Sequence, residues 1–153
     1  MTSFLEQEIH QQGEVVSRLL TEQAETARQI AAAIRGFNPA FVHIAARGTS
    51  DNAARYAQYT LGALAGLPVA LATPSLHTLY EAPPNLSRAV VIGVSQSGAS
   101  TDVNRVLEDA RSQGALTISL TNNAGSPLAN AAHHHFDLSA GLERSVAATK
   151  TYT

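Results

Sequence analysis

Arg88-Ala-Val-Val-Ile-Gly-Val-Ser95-Gln96-Ser97-Gly98-Ala99-Ser100-Thr101-Asp102 is the stretch from which the fold can be read. Ala89 to Val94 is continuously apolar and rich in β-branched residues, the pattern of a strand buried on both faces. A polar cluster with one glycine follows. From Thr101 the apolar positions Val103, Val106, Leu107 and Ala110 recur at helical spacing. Strand, hydroxyl-rich turn and helix N-terminus together make an anion site, because unpaired backbone N–H groups and the positive helix end point into the turn. Ser95, Ser97 and Ser100 add hydroxyl donors, and Gly98 lets the backbone approach a ligand closely. The stretch holds no lysine, so it is not the P-loop pattern. The expected guest is a phosphate monoester on a small metabolite.

Outward from that stretch the chain alternates. Phe41–Ala46 reads as a strand, Arg47-Gly48-Thr49-Ser50 as a turn, and Asp51 to about Ala65 as a helix stopped by Gly66. Val69–Ala72 is a second strand, and Pro74-Ser75 starts a short helix through Tyr80. Gly114 closes the helix from Thr101 to Gln113. Leu116–Leu120 is a strand, Ser126-Pro127 an N-cap with proline at the first helical position, and His135–Leu138 an edge strand. Residues 3–35 read as helices, with Gly13 separating a short first helix from a longer second, and Gly36-Phe-Asn-Pro39 ends them. The expectation is an α/β fold: a doubly wound parallel sheet in residues 37–153, preceded by a helical segment in residues 1–36. In such sheets ligands sit beyond the carboxyl ends of the strands, where both polar turns, 47–50 and 95–100, lie.

The chain has 153 residues, 44% hydrophobic and 14% charged, with a formal charge of −2, which suits one globular domain. Its one lysine and nine arginines form no basic stripe, which argues against nucleic acid. The N-terminus lacks the basic and apolar regions of a signal peptide, and no apolar run approaches the length of a membrane span. Cysteine is absent, so there is neither a disulfide framework nor a thiolate metal site, which fits a cytoplasmic setting. Residues 146–153 read as a helix start with no body, the mark of a fragment or a truncated reading frame.

Other residues carry sharper and blander readings side by side. Gly93-Val-Ser95-Gln-Ser97 nearly spells a hydrolase elbow, but Ser97 replaces the final glycine and no Asp…His pair follows convincingly. Thr49 and Ser50 suit both an N-cap for the helix from Asp51 and ligand contact. Of His133-His134-His135 only the outer two share a strand face, which favours a solvated edge over a metal site. His77 and Glu81 stand i,i+4 on the short helix, a spacing that allows a modest structural contact at most. Lys150 is read as structural rather than as a Schiff-base amine. Arg47 is able to aid a phosphate, its direction being unreadable from sequence.

Arg47-Gly48-Thr49-Ser50, Ser95-Gln96-Ser97-Gly98 and Glu143-Arg-Ser-Val-Ala-Ala-Thr-Lys150, in this order and spacing, resemble the sugar isomerase (SIS) domain, as found in the isomerase half of glucosamine-6-phosphate synthases. Glu8-Ile9-His10-Gln11-Gln12 resembles the usual opening of that half, with Gly13 where proline is common. The resemblance implies a five-stranded parallel sheet binding a phosphosugar, with no cofactor and no metal. It assigns the phosphate to Ser95, Gln96, Ser97, Ser100 and Ser50, and turns Thr49 and Val146 toward the sugar. Three departures stand out. The phosphate loop carries Ala99 in place of a usual carboxylate, and Ala148 replaces a frequent serine. The family's acid–base and substrate-binding residues lie in a second SIS domain that this sequence does not match. The expected role is therefore the phosphosugar-binding first half of an aldose–ketose isomerase or an amino-sugar-phosphate deaminase, of the glucosamine or fructose 6-phosphate class. The alternative is a regulatory module that senses a phosphosugar and catalyses nothing. Pairing with a second SIS domain, or homodimerisation, is expected through apolar helix faces that include Leu61, Leu64 and the Ala27–Ile34 stripe.

Overall fold

The computed structural model describes residues 3–152; Met1, Thr2 and Thr153, which the expected segment boundaries take in, lie outside the described residues. Strands β1 (Phe41–Ala45), β2 (Val69–Leu71), β3 (Ala89–Val94), β4 (Leu116–Thr121) and β5 (His134–Asp137) form one sheet in the order β2-β1-β3-β4-β5. Every pairing is parallel, and β3, the apolar run, lies at the centre between β1 and β4. The strand order reverses direction between β1 and β3, so the turns following these two strands open side by side at the sheet's carboxyl edge.

Strand alternation explains the two layers that cover the sheet. Ala45, Ala89 and Val91 face helix α5 (Thr101–Ser112), whose Val103, Val106, Leu107 and Ala110 are buried together with Leu128 of α6 (Pro127–Ala131). On the opposite face, Val42 and Ile44 pack with Ala54 of α3 (Thr49–Ala65), and Val90 and Ile118 pack with Ile30 of α2 (Ala24–Phe37). Helix α4 (Ser75–Thr78) lies against α5. Among the apolar positions expected on a partner face, Leu64 is 87% exposed. Leu61 is half-buried and Ala27 exposed, but Ile30 belongs to the core.

Helix α1 (Phe4–Glu22) corrects one expectation: it runs through Gly13 without a break, and the chain turns only at Gln23. A glycine in an exposed helix costs about 1 kcal/mol relative to alanine but keeps its N–H, so the hydrogen-bond ladder survives. The short helix stops at Thr78 rather than Tyr80, and Glu81 takes a positive φ of 47°. Glu81 is therefore not one helical turn from His77. The buried His77 pairs instead with Asp109 of α5, Nδ1 to Oδ2 at 2.9 Å.

Residues 145–152 form bends and turns, not the expected helix start. The reason lies in where their N–H groups go. Glu8 Oε1 accepts from Arg144 N–H and, at 3.4 Å, from Ser145 N–H, while Glu143 Oε1 accepts from Thr149 and Lys150 N–H at 2.9 and 2.8 Å. Side-chain carboxylates thus satisfy donors that a helix would give to its own carbonyls. Lys150 is buried, and its Nζ donates to Gln11 Oε1 and Leu142 O at 3.0 and 2.9 Å, so this amine is a tie between α1 and the C-terminal segment.

Candidate functional site

Two β–α turns and the C-terminal segment enclose a crevice of about 420 Å3, whose walls include Thr49, Ser50, Gln96, Val146, Thr151 and Tyr152. Thr49 and Ser50 sit inside the first turn of α3, not before it. The N-cap is Gly48, at φ 58°, and no side chain caps the helix, which corrects the capping reading of both hydroxyls. Gly48 adopts a conformation that favours glycine, and this lets the helix begin two residues early.

The second turn is bolted to its neighbours. Ser95 N–H donates to Leu120 O at 3.1 Å, and Gln96 O accepts from Asn122 N–H and Thr121 Oγ1, both at 3.0 Å. Gly98 O accepts from Leu128 N–H at 3.1 Å. Ser95 is buried, and its Oγ accepts from Gly98 N–H at 3.2 Å. That hydroxyl meets a backbone amide, not a histidine, so nothing in this arrangement activates it as a nucleophile. Ser97 is exposed, its Oγ accepting from Ala99 N–H at 3.3 Å.

Ser100 occupies the N-cap position of α5 but makes no capping bond; its Oγ donates to Asp102 Oδ1 at 2.9 Å. Asp102 Oδ1 also accepts Val103 N–H at 3.0 Å, and Asn104 N–H is the first to reach its own i−4 carbonyl. The N–H groups of Thr101 and Asp102 precede that first intrahelical bond and carry the positive end of the helix. The direction of Arg47 is now fixed: its Nε pairs with Asp102 Oδ2 at 2.9 Å.

The crevice therefore gathers Thr49, Ser50, Gln96 and Val146 on its walls, whereas Ser95, Ser97 and Ser100 belong to the adjoining turn. The histidine run lies apart from both. His133 and His135 turn their Nδ1 atoms onto the β4 hydroxyls of Thr117 and Ser119, at 2.8 and 3.0 Å, and among the described residues no group of three His, Cys, Asp or Glu side chains is placed to hold a metal.

Sequence reasoning passed over two carboxylates that organise the site. Glu143 Oε2 accepts from Gln96 Nε2 at 2.9 Å and Thr151 Oγ1 at 2.8 Å, joining the phosphate-loop candidate to the opposite wall. Glu8 receives Ser145 Oγ as well as the two backbone donors. The Ser145 hydroxyl, then the Arg144 amide, hold its carboxyl below the usual carboxylate range, against a smaller opposing effect of burial. Glu143 reaches donors 6 to 8 and 47 residues away and Glu8 donors more than 130 residues away, so no local turn rule signals either role.

Comparison with known proteins fits this architecture. The SIS domain family model matches residues 41–153. A glutamine–fructose-6-phosphate aminotransferase (isomerizing) from Aquifex aeolicus is 32% identical over 150 residues, 98% of this chain and 25% of that protein. Among solved structures, a protein assigned as a phosphosugar isomerase from Silicibacter pomeroyi DSS-3 superposes with a TM-score of 0.94 at 43% identity, covering 99% of this chain and 46% of the other. The C-terminal domain of glucosamine-fructose-6-phosphate aminotransferase from Francisella tularensis gives a TM-score of 0.84 at 25% identity, over 99% and 44% of the two chains. The chain thus spans a quarter of that curated relative and less than half of each solved chain.

Proposed function

The chain belongs to the SIS domain family, and from that premise we propose that it binds a phosphosugar of the glucosamine or fructose 6-phosphate class, as the first half of an aldose–ketose isomerase or amino-sugar-phosphate deaminase. One observation carries the reading. The two hydroxyl-bearing turns, 49–50 and 95–100, converge at the reversal point of the sheet beside the N-terminus of α5. A phosphate there meets helix N–H groups together with the donors of Ser95, Gln96, Ser97, Ser100 and Ser50. Thr49 and Val146 then face the sugar, and residues 37–153 act as the binding domain behind the helical segment 1–36.

Isomerisation or deamination requires ring opening and proton transfer between C1 and C2 by a positioned acid–base group. The residues lining the crevice carry no carboxylate, imidazole or amine, and Glu143, which bonds across it, is engaged by Gln96, Thr151 and the 149–150 amides. In this reading the chain anchors the phosphate, and that binding energy positions the reacting end for groups supplied by a paired SIS domain, in the same polypeptide or in a second copy. No helix among the described residues is long and apolar enough to cross a membrane; a cytoplasmic setting is part of this proposal.

Calorimetry with glucosamine 6-phosphate, fructose 6-phosphate and the unphosphorylated sugars tests the assignment. Replacing Ser97 by Ala is expected to weaken the phosphosugars by about 1.5–3 kcal/mol, the range for a hydrogen bond to a charged group, and to leave the free sugars nearly unchanged. Equal losses for both kinds of ligand overturn it. Binding without turnover, in the presence of every paired domain, assigns the chain to the sensing alternative.

A further inference from the structure

Glu143 hydrogen-bonds to both sides of the crevice, to Gln96 on one and Thr151 on the other. Its Oε1 receives the N–H groups of Thr149 and Lys150 at 2.9 and 2.8 Å and that of Thr151 at 3.4 Å. Its Oε2 receives Thr151 Oγ1 at 2.8 Å and Gln96 Nε2 at 2.9 Å. The two oxygens divide the work: one shapes the wall that includes Val146, Thr151 and Tyr152, and the other reaches across to the turn that carries Gln96. A carboxylate only accepts hydrogen bonds, so it dictates which end of the Gln96 amide faces the wall. Gln96 has one N–H on Glu143 and a second still to give.

We infer that Glu143 is the positioning residue of this site, fixing the orientation of the Gln96 amide for an incoming phosphate monoester while holding the sugar-side wall at a set distance from it. The inference rests on the phosphosugar reading above. It deepens that reading by naming a residue that acts on the ligand only through Gln96 and the 149–151 backbone. Among the described residues, Glu143 Oε2 is the acceptor that Gln96 Nε2 reaches. Ser97 Oγ bonds within its own turn and Ser100 Oγ to Asp102.

A single-atom exchange separates this role from a merely structural one. In Glu143→Gln the amide oxygen still accepts from Thr149 and Lys150 N–H, so the wall keeps its shape. The new NH2 group, however, now confronts Gln96 Nε2, and relief comes from turning the Gln96 amide over. The expected result is a thermal midpoint within about 2 °C of wild type, with the Kd for glucosamine 6-phosphate raised about tenfold. In a Gln96→Ala background the same exchange should change that Kd less than twofold, the non-additivity of residues acting as a unit. Equal fold-changes in the two backgrounds, or unchanged affinity in Glu143→Gln alone, overturn the positioning role while leaving phosphosugar binding intact. Should Glu143→Gln fail to fold, Glu143→Asp supplies the second readout. It keeps a carboxylate for the 149–151 amides but withdraws it from Gln96. A rise in Kd that disappears in the Gln96→Ala background supports the coupling, whereas an equal rise in both backgrounds overturns it. Absence of any phosphosugar binding by the wild-type chain overturns the functional reading, and this inference with it.

Discussion

Arg47 Nε and Asp102 Oδ2 lie 2.9 Å apart, and this pair ties the turn after β1 to the first turn of α5, across the mouth between the two converging loops. The side chains are 64% and 26% exposed. A surface pair of this kind contributes only about 0–1 kcal/mol to folding. Its interest lies elsewhere: it parks a guanidinium beside the proposed phosphate seat and neutralises an aspartate that would otherwise repel the ligand.

The first prediction follows. Arg47→Ala should lower the thermal midpoint by only a few degrees. It should weaken glucosamine 6-phosphate by roughly 1 kcal/mol at low salt, with the deficit shrinking as salt is raised because exposed charges are screened. A salt-independent loss, or an unchanged affinity at low salt, speaks against an electrostatic role.

Gly98 has φ 66°, and a Cβ placed on it would sit 2.2 Å from Ser126 Oγ and 2.5 Å from Ser126 Cβ. Ser126 is buried and caps α6 by accepting Ala129 N–H at 3.2 Å. It therefore cannot simply swing aside. Gly98→Ala should cost more than about 2 kcal/mol, from the strained φ and the clash together, and should abolish phosphosugar binding. Urea denaturation supplies the first number and calorimetry the second. A variant of near-wild-type stability that binds normally would show that the turn is pliable.

These positions illustrate what sequence reveals and what it withholds. The run Ala89–Val94 announces a buried central strand because apolarity, β-branching and the polar turn after it all agree. Ser126-Pro127 announces α6 for the same local reason, and its cap is present in the structure. Gly13 misleads because a local propensity is outvoted: the helix gains more by keeping Glu8 and Val15 on one packed face than the glycine costs. Glu143 and Glu8 stand in the motifs that carry the resemblance, but their structural roles are not legible there, because the amides and side chains they receive are chosen by the finished fold. The sequence also cannot aim Arg47, whose partner belongs to a different turn.

On α3 the rings of Tyr56 and Tyr59 are 73% and 79% exposed, and Leu64 is 87% exposed. An apolar groove of about 430 Å3 also runs between α2 and α3, lined by Ile34, Leu61 and Leu67 among others. Aromatic residues this bare on one helix suit an interface centre. If a second copy takes the place of a paired domain, sedimentation at micromolar concentration should show a species heavier than the 16.1 kDa chain. Tyr59→Glu together with Leu64→Glu should return it to monomer without changing the unfolding free energy of the monomer, measured in urea, by more than about 1 kcal/mol. A single 16 kDa species for the wild type refutes self-pairing.

The last prediction concerns acid. His43, on β1, is 7% exposed, and neither ring nitrogen has a hydrogen-bond partner. Burial first, and then the nearby His77, push its pKa down from 6.5 to about 4. The folded protein therefore resists protonating His43 between pH 6.5 and pH 4, whereas the unfolded chain accepts the proton, so stability falls as pH drops through that window. The full depression is worth on the order of 3 kcal/mol. His133, lowered by burial first and by Arg111 second, adds a slope of the same sign, so the diagnostic quantity is a difference between variants. The depressed carboxyl of Glu8 stabilises the fold above its ordinary value of 4.5 and loses that contribution as pH falls below it, a decline of the same sign. Replacing His43 by Leu removes the buried base and supplies an apolar side chain to the surrounding core. Urea midpoints measured from pH 7.5 to 4 should then decline less steeply for His43→Leu than for wild type, the two curves separating below pH 6.5. Parallel curves across the window would mean that His43 is protonated as readily in the folded chain as in the unfolded one.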